Sequence, residues 1–288
     1  MSIKLDHVTY TYMPGTPYQK DAIRDITLEI QPKEFVGIIG HTGSGKSTLI
    51  QHLNGLLQPT QGQVTVDGVN LQAKSDEAKQ ARRKVGMVFQ YPEQQLFEET
   101  IFDDIAFGPR NLNFDPDVVE QRVRRAMDFV GLDFAAFARR SPFRLSGGQM
   151  RRVAIAGVIA LEPSYLVLDE PSAGLDPRGR DEIFGQIVNL YQTSDITVIL
   201  VTHNMEDIAR MANRLLVMND GQVSLDGRPE VIFGGSIDRL RAAGVDVPGV
   251  TALLRKLKAG GLAVSGEALT PELATEEIVS AMGGDHHA

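Results

Sequence analysis

Residues 40–48 read GHTGSGKST and residues 145–149 read LSGGQ, and both strings suit the binding of phosphate. The first fits G-x-x-x-x-G-K-[ST], a loop that wraps the phosphates of a nucleotide. Gly40, Gly43 and Gly45 let the backbone turn tightly. The N–H groups of the loop, those of His41, Thr42 and Ser44 among them, then point inward as an anion-binding nest. A helix opening near Lys46 adds its positive end to the same pocket. Lys46 is placed to reach the β- and γ-phosphates, Ser47 to hold Mg²⁺ through its hydroxyl, and Thr48 to complete the loop.

Carboxylate chemistry follows at YLVLDEP (165–171), four mostly apolar residues and then two acids. In a buried parallel strand Asp169 lands at the carboxyl end beside the phosphate loop, where it binds Mg²⁺ directly or through water. Glu170 then points at the γ-phosphate and can polarise an attacking water. Two further polar residues end apolar runs: Gln90 after MVF, and His203 after ITVILVT. An imidazole at that sheet edge can hydrogen-bond the γ-phosphate.

LSGGQ opens a helix, with Ser146 as its N-cap and the N–H groups of Gly147 and Gly148 forming a second anion site before Gln149. One nucleotide does not need two cradles. About a hundred residues separate the two loops, so the economical solution is two chains packed head to tail, each presenting this helix to the other's nucleotide.

These groups need a scaffold. EFVGIIG (34–40) reads as a strand feeding the loop, and STLIQHLNGLL (47–57) as a helix closed by Gly55 and Pro59. Strand patterns also occupy IKLDHVTYTY and AIRDITLEI, QVTVDGVNL (63–71) broken at Asp67-Gly68, KVGMVFQ (84–90), TVILVTH (197–203) and RLLVMNDGQVSLDG (214–227). DEIFGQIVNLYQ (181–192) is helical, and helices dominate from about 91 to 162. The expected fold is α/β: a mainly parallel sheet, an N-terminal antiparallel β subdomain, an inserted helical subdomain near 91–162 and a small helical extension over 236–288. Within that extension SIDRLRAAGVDV, VTALLRKLKAGG and PELATEEIVSAM read as short amphipathic helices, favoured as a contact between subunits over a plain domain cover. The DHHA ending reads as inert rather than as a metal site.

The formal charge of −8 lacks the basic footprint of non-specific nucleic-acid binding, so no nucleic-acid partner is expected. There is no cysteine for disulfides or thiolate metal sites. No apolar leader opens the chain and no apolar run approaches a membrane span, so a cytosolic chain that reaches membranes only through partners is expected.

Taken together, GHTGSGKST, Gln90, LSGGQ, YLVLDE, SAGLD (172–176) and Thr202-His203 resemble the motif set of ATP-binding-cassette ATPases, in that family's order and over about residues 1–235. The resemblance implies a P-loop NTPase fold, ATP and Mg²⁺ as cofactors, and ATP held by residues 40–48 and Gln90, with Ser146 to Gln149 acting in trans. It places Mg²⁺ on Ser47, Gln90 and Asp169, catalysis on Glu170 and His203, and dimer communication on Asp176. Tyr12 resembles the aromatic that stacks on adenine, with Tyr10 and Tyr18 as alternatives.

VFQYPEQQLFEETIFDDIAFGPRNL (88–112) is further similar to the segment after the Gln loop in energy-coupling-factor transporter ATPases. That implies an ATPase subunit on the cytoplasmic face of the cell membrane, powering uptake of a vitamin or other micronutrient. Its implied partners are a second ATPase, expected to be a paralogue, a transmembrane scaffold and a membrane substrate-binding subunit. Leu96, Phe97, Ile101 and Phe102 would contact the scaffold. An ATPase of an ordinary binding-protein-dependent importer shares every catalytic motif and is the alternative. A soluble family member is disfavoured, because neither a second cassette nor a coiled-coil insertion is present.

Overall fold

The chain opens on an antiparallel pair, β1 (Ile3–Tyr12) and β2 (Lys20–Ile30), and β4 (Gln61–Val66) and β5 (Val69–Asn70) later extend the same sheet in the order β2-β1-β4-β5. This computed structural model describes residues 1–235 and 237–283. The DHHA ending lies outside the described residues. Alternation is the reason for a one-faced sheet: Ile3, Leu5 and Val8 of β1 are buried while Lys4, Asp6 and His7 are exposed.

A second, six-stranded sheet carries the site. It contains β3 (Phe35–Ile39), β6 (Val85–Val88), β7 (Tyr165–Asp169), β8 (Thr197–Val201), β9 (Arg214–Asn219) and β10 (Gln222–Gly227), ordered β10-β9-β3-β8-β7-β6. All neighbours pair in parallel except β9 with β10. Every residue of β3, β6, β7 and β8 is buried, which accounts for their unbroken apolar runs. Successive residues serve opposite faces. Val36, Ile38, Val167 and Ile199 join the antiparallel sheet and helix α1 (Lys46–Leu53) in one apolar cluster. Phe35, Ile39, Leu166, Leu168, Val198 and Leu200 join the helices of the other face in a second cluster.

Helix α2 (Asp76–Arg83) precedes β6 and puts Ala81 in the first cluster; the helices of the second are α3 (Ile101–Asn111), α4 (Pro116–Phe129), α5 (Phe134–Phe137) and α6 (Gly147–Ile159) ahead of β7, and α7 (Pro177–Thr193) and α8 (Met205–Met211) ahead of β8 and β9. After β10 come α9 (Pro229–Gly235), α10 (Ile237–Ala242), α11 (Gly249–Ala259) and α12 (Pro271–Gly283). The α/β fold expected from the sequence is the one observed. Helix α2 escapes a periodicity reading because DEAKQARR buries only Ala78 and Ala81. In the tail, Leu240, Ala243 and Val245 still belong to the large apolar cluster, whereas Leu254, Val264, Ala268 and Ala274 form a separate small one. Among the described residues no helix is long and apolar enough to cross a membrane.

Candidate nucleotide site

Parallel strands deliver their carboxyl ends to one edge, and pairing registers align them: Ile38 with Val201, Val88 with Leu168, and Asp169 with Val201. The turn after β3 is the phosphate loop. Gly40 has φ +153°, and a Cβ there would stand 2.3 Å from the Met218 carbonyl oxygen and 2.7 Å from Ser44 Oγ. Gly45, at φ +103°, would press a Cβ to 2.5 Å from the Ala22 carbonyl oxygen. The loop is therefore seated on β9 and β2 at a separation only glycine permits. Lys46 Nζ arches back across it, donating to the carbonyls of Gly40 (2.7 Å) and His41 (3.0 Å). Burial lowers the pKa of this ammonium, against the opposing pull of Glu170 and Asp169.

Asp169 is the last residue of β7 and is buried. Burial pushes its carboxyl pKa up; a hydrogen bond with Ser47 lowers it, nearby Glu170 raises it, and Lys46 lowers it. Glu170 leaves the strand in the left-handed region at φ +51°, its N–H donating to Val201 O at 3.0 Å. That turn swings its carboxylate to His203, whose Nδ1 lies 2.9 and 3.0 Å from the two oxygens. The imidazole itself is 80% exposed at the mouth of the site.

A cavity of about 510 Å³ brings Tyr12, Gly40, Thr42, Gly43, Gly45, Lys46, Ser47, Thr48, Gln90, Asp169, Glu170 and His203 together. That volume lies in the range of small-molecule sites. Tyr12 borders it with its hydroxyl 3.3 Å from Thr48 Oγ1. Tyr10 instead packs edge-on between Tyr12 and His52, and Tyr18 stands exposed in the turn before β2. Two expected loop residues do not line the cavity. Ser44 is fully buried beneath it, and the His41 ring lies against the Thr42 carbonyl oxygen. Lys20 and Ala22 line it although sequence reasoning passed over them. Lys20 arrives as the cross-strand partner of Tyr12, through a ladder whose register shifts hide that pairing from alternation alone. The Ser47 hydroxyl, the Asp169 carboxylate and the Gln90 amide form an all-oxygen donor set suited to Mg²⁺ that keeps water and phosphate ligands.

Ser146 to Gln149 do not line this cavity. They form a capping box at the start of α6: Ser146 Oγ accepts from Gln149 N (3.3 Å), and Gln149 Oε1 accepts from Ser146 N (3.1 Å). Gly147 is in helical backbone, and a Cβ built there meets nothing within 4 Å. Asp176 caps α7, accepting from Gly179 N at 2.7 Å.

The segment after Gln90 requires a correction. Ile101 is fully buried in the main cluster and is closed to any partner, and Phe102 is half-buried against that cluster with Arg110 over its ring. The reason is the start of α3: Thr100 caps it, so Ile101, Ile105 and Ala106 turn inward. Leu96 is half-buried and Phe97 is exposed. Phe97 meets Phe107 edge-on at 4.9 Å, an exposed aromatic that sequence reasoning missed. Together they border a groove of about 220 Å³ against Val153, Val158 and Leu161 of the α6 region.

A family model described as ABC transporter matches residues 23–173, from within β2, across the phosphate loop and through both carboxylates. This chain belongs to the ABC transporter family. The α/β cassette, the ATPase activity and the use of ATP with Mg²⁺ expected from its motifs are those of this family. Among relatives, the energy-coupling factor transporter ATP-binding protein EcfA2 of Clostridium tetani is 53% identical, covering 97% of this chain and 96% of its own. EcfA2 of Clostridioides difficile is 49% identical over 99% of both. Among solved structures, cbiO1 from Clostridium perfringens, part of the ABC transporter complex cbiONQ, aligns with TM-score 0.72 and 35% identity over 83% of this chain and 94% of that one. The cassette MJ0796, solved as a dimer bound to ADP and Pi, aligns with TM-score 0.70 and 30% identity over 79% of this chain and 98% of that one.

Proposed function

We propose that this ABC cassette is the ATP-hydrolysing subunit of an energy-coupling-factor importer that takes up a vitamin or other micronutrient. The observation that carries the reading is the cavity at the sheet edge, where Lys46, Ser47, Gln90, Asp169, Glu170 and His203 converge. Similarity to EcfA2 proteins over nearly the whole chain supplies the subtype.

In this reading the loop N–H groups and Lys46 bind the β- and γ-phosphates of ATP, and Tyr12 stacks on the adenine. Bound Mg²⁺, held by Ser47, Gln90 and Asp169, supplies charge neutralisation at the phosphates. Glu170 accepts the proton of the attacking water, and His203 both orients that carboxylate and donates toward the γ-phosphate. Ser146, Gly147, Gly148 and Gln149 serve the nucleotide of a partner ATPase, expected to be a paralogue. Asp176 sits between the two sites. Hydrolysis removes the nucleotide bridge, and the groove at Leu96, Phe97 and Phe107 passes the opening to a transmembrane scaffold. The chain thus works at the cytoplasmic face of the membrane, alongside a membrane substrate-binding subunit.

Co-purification from native membranes in mild detergent tests this. A second related ATPase, a helical scaffold and a small apolar substrate-binding protein are expected. Two ordinary permease subunits would move the chain to the binding-protein-dependent importers, and recovery in soluble complexes alone would refute the transport reading.

A further inference from the structure

Arg151 lies one turn into α6, two residues beyond LSGGQ, and its side chain is only 3% exposed. Its guanidinium bridges two segments. Nε and Nη2 form a fork onto the Glu93 carboxylate, each at 3.0 Å. Nη1 donates to the carbonyl oxygens of Pro171 (3.3 Å) and Ala173. Glu93 stands three residues beyond Gln90, and Pro171 directly follows Glu170. Tyr91 lies near both partners: its ring is 5.9 Å from the guanidinium, and it stands close enough to Gly174 that a Cβ built there would be 3.9 Å from Tyr91 Cε1. None of Glu93, Arg151, Pro171 and Ala173 lines the nucleotide cavity.

Buried ion pairs seldom outperform apolar residues of similar volume in stability, so a pair kept here points to geometry. The geometry concerned is that of Glu170. Its left-handed backbone at φ +51° is unfavourable unless its surroundings hold it. Two backbone hydrogen bonds help: Glu170 N donates to Val201 O, and Ala173 N returns to Glu170 O at 3.1 Å. Arg151 clamps the outer side of that same turn. Its planar fork fits one carboxylate in one orientation, which a lysine does not reproduce.

We propose that Arg151, locked by Glu93, is a positioning residue that ties the turn bearing Glu170 to segment 91–97, so that displacement of the Phe97 groove moves the general base. The inference rests on the role assigned to Glu170 above. The test uses Glu93→Gln, Arg151→Lys and the double variant, each assembled with its partner ATPase. Affinity for a fluorescent ATP analogue, phosphate release at saturating ATP and thermal midpoint are measured on each.

Each single variant is expected to lose about tenfold in kcat with affinity held within about twofold, and the double to be no worse than the worse single, as for residues acting through one contact. Folded variants with kcat within about twofold of wild type, equal losses in affinity and kcat, or additive effects in the double would overturn it. Glu93→Gln preserves volume and one acceptor oxygen, so the test stands even if Arg151→Lys fails to fold. Glu170→Gln run in parallel separates the two readings. Turnover by that variant removes the role of Glu170, whereas its silence beside unimpaired Glu93 and Arg151 variants removes only the positioning inference.

Discussion

Gly147→Ala separates what α6 needs for itself from what it offers another molecule. In this chain Gly147 is exposed, takes ordinary helical backbone, and leaves a Cβ unopposed within 4 Å. Alanine at a compatible site narrows the unfolded ensemble and adds about 0.4–1 kcal/mol of stability. For a chain of this size that raises the thermal midpoint by about 1–2 °C. Function should move the opposite way. If a partner's nucleotide packs on the first turn of α6, the methyl group occupies the approach to the Gly147 and Gly148 N–H groups. Losing donors of this kind costs about 10²–10³ in turnover. The assays are thermal unfolding of the nucleotide-free chain and phosphate release by the assembled ATPase pair at saturating ATP. Unchanged turnover would refute the composite site. A midpoint lowered by several degrees would instead show that the cassette's own packing demands the glycine.

Three further outcomes follow from the geometry. Glu170→Gln keeps an acceptor for His203, now 2.9 Å away, but removes the base, so turnover should fall about 10²–10⁴-fold with ATP still bound; phosphate release above a tenth of wild type would contradict that. Ile101→Ala should destabilise the chain by about 2–5 kcal/mol as a core truncation, whereas Phe97→Ala with Phe107→Ala should leave the midpoint nearly unchanged and weaken co-purification of the membrane partner; equal effects on both readouts would erase the distinction. Burial raises the pKa of Asp169 in the folded chain. The folded state therefore holds this proton more tightly than the unfolded chain, and stability is lost as pH rises from the ordinary carboxylate value near 4 through the raised pKa. Asp169→Asn should then be the more stable form at neutral pH, with an advantage shrinking toward about pH 4; a pH-independent difference in midpoint would refute it.

Most of the sheet was legible because a parallel strand buried on both faces writes itself as a continuous apolar run, as in FVGII, YLVLD and TVILV. The residue ending each run then falls on one edge by topology alone, which is why Asp169, Glu170 and His203 could be grouped across more than thirty residues. Helix α3 was misread for want of its starting point. The aromatics of TIFDDIAF suggest a surface patch, yet Thr100 caps the helix and Ile101 and Ile105 share its buried face at i and i+4. That phase was available in the sequence and would have exchanged Ile101 for Phe107. The pairing of Glu93 with Arg151 was not available, since nothing local joins positions 58 residues apart.

The glycines divide along the same line. Gly40 and Gly45 are explained within one chain, because Met218 and Ala22 leave no room for a Cβ. Gly147 has no such neighbour, and Ser146 and Gln149 have already satisfied each other in a capping box. A helix start whose capping box is closed, whose Gly147 is exposed and whose Gly148 would bring a Cβ no nearer than 3.8 Å to Leu175 has no internal need for two glycines, since alanine would serve its stability better. Small residues there make sense where another surface must come close to the backbone. The phosphate loop is a cradle completed by its own strand and helix, whereas LSGGQ, in the function proposed above, is half of a contact whose other half is a nucleotide held elsewhere.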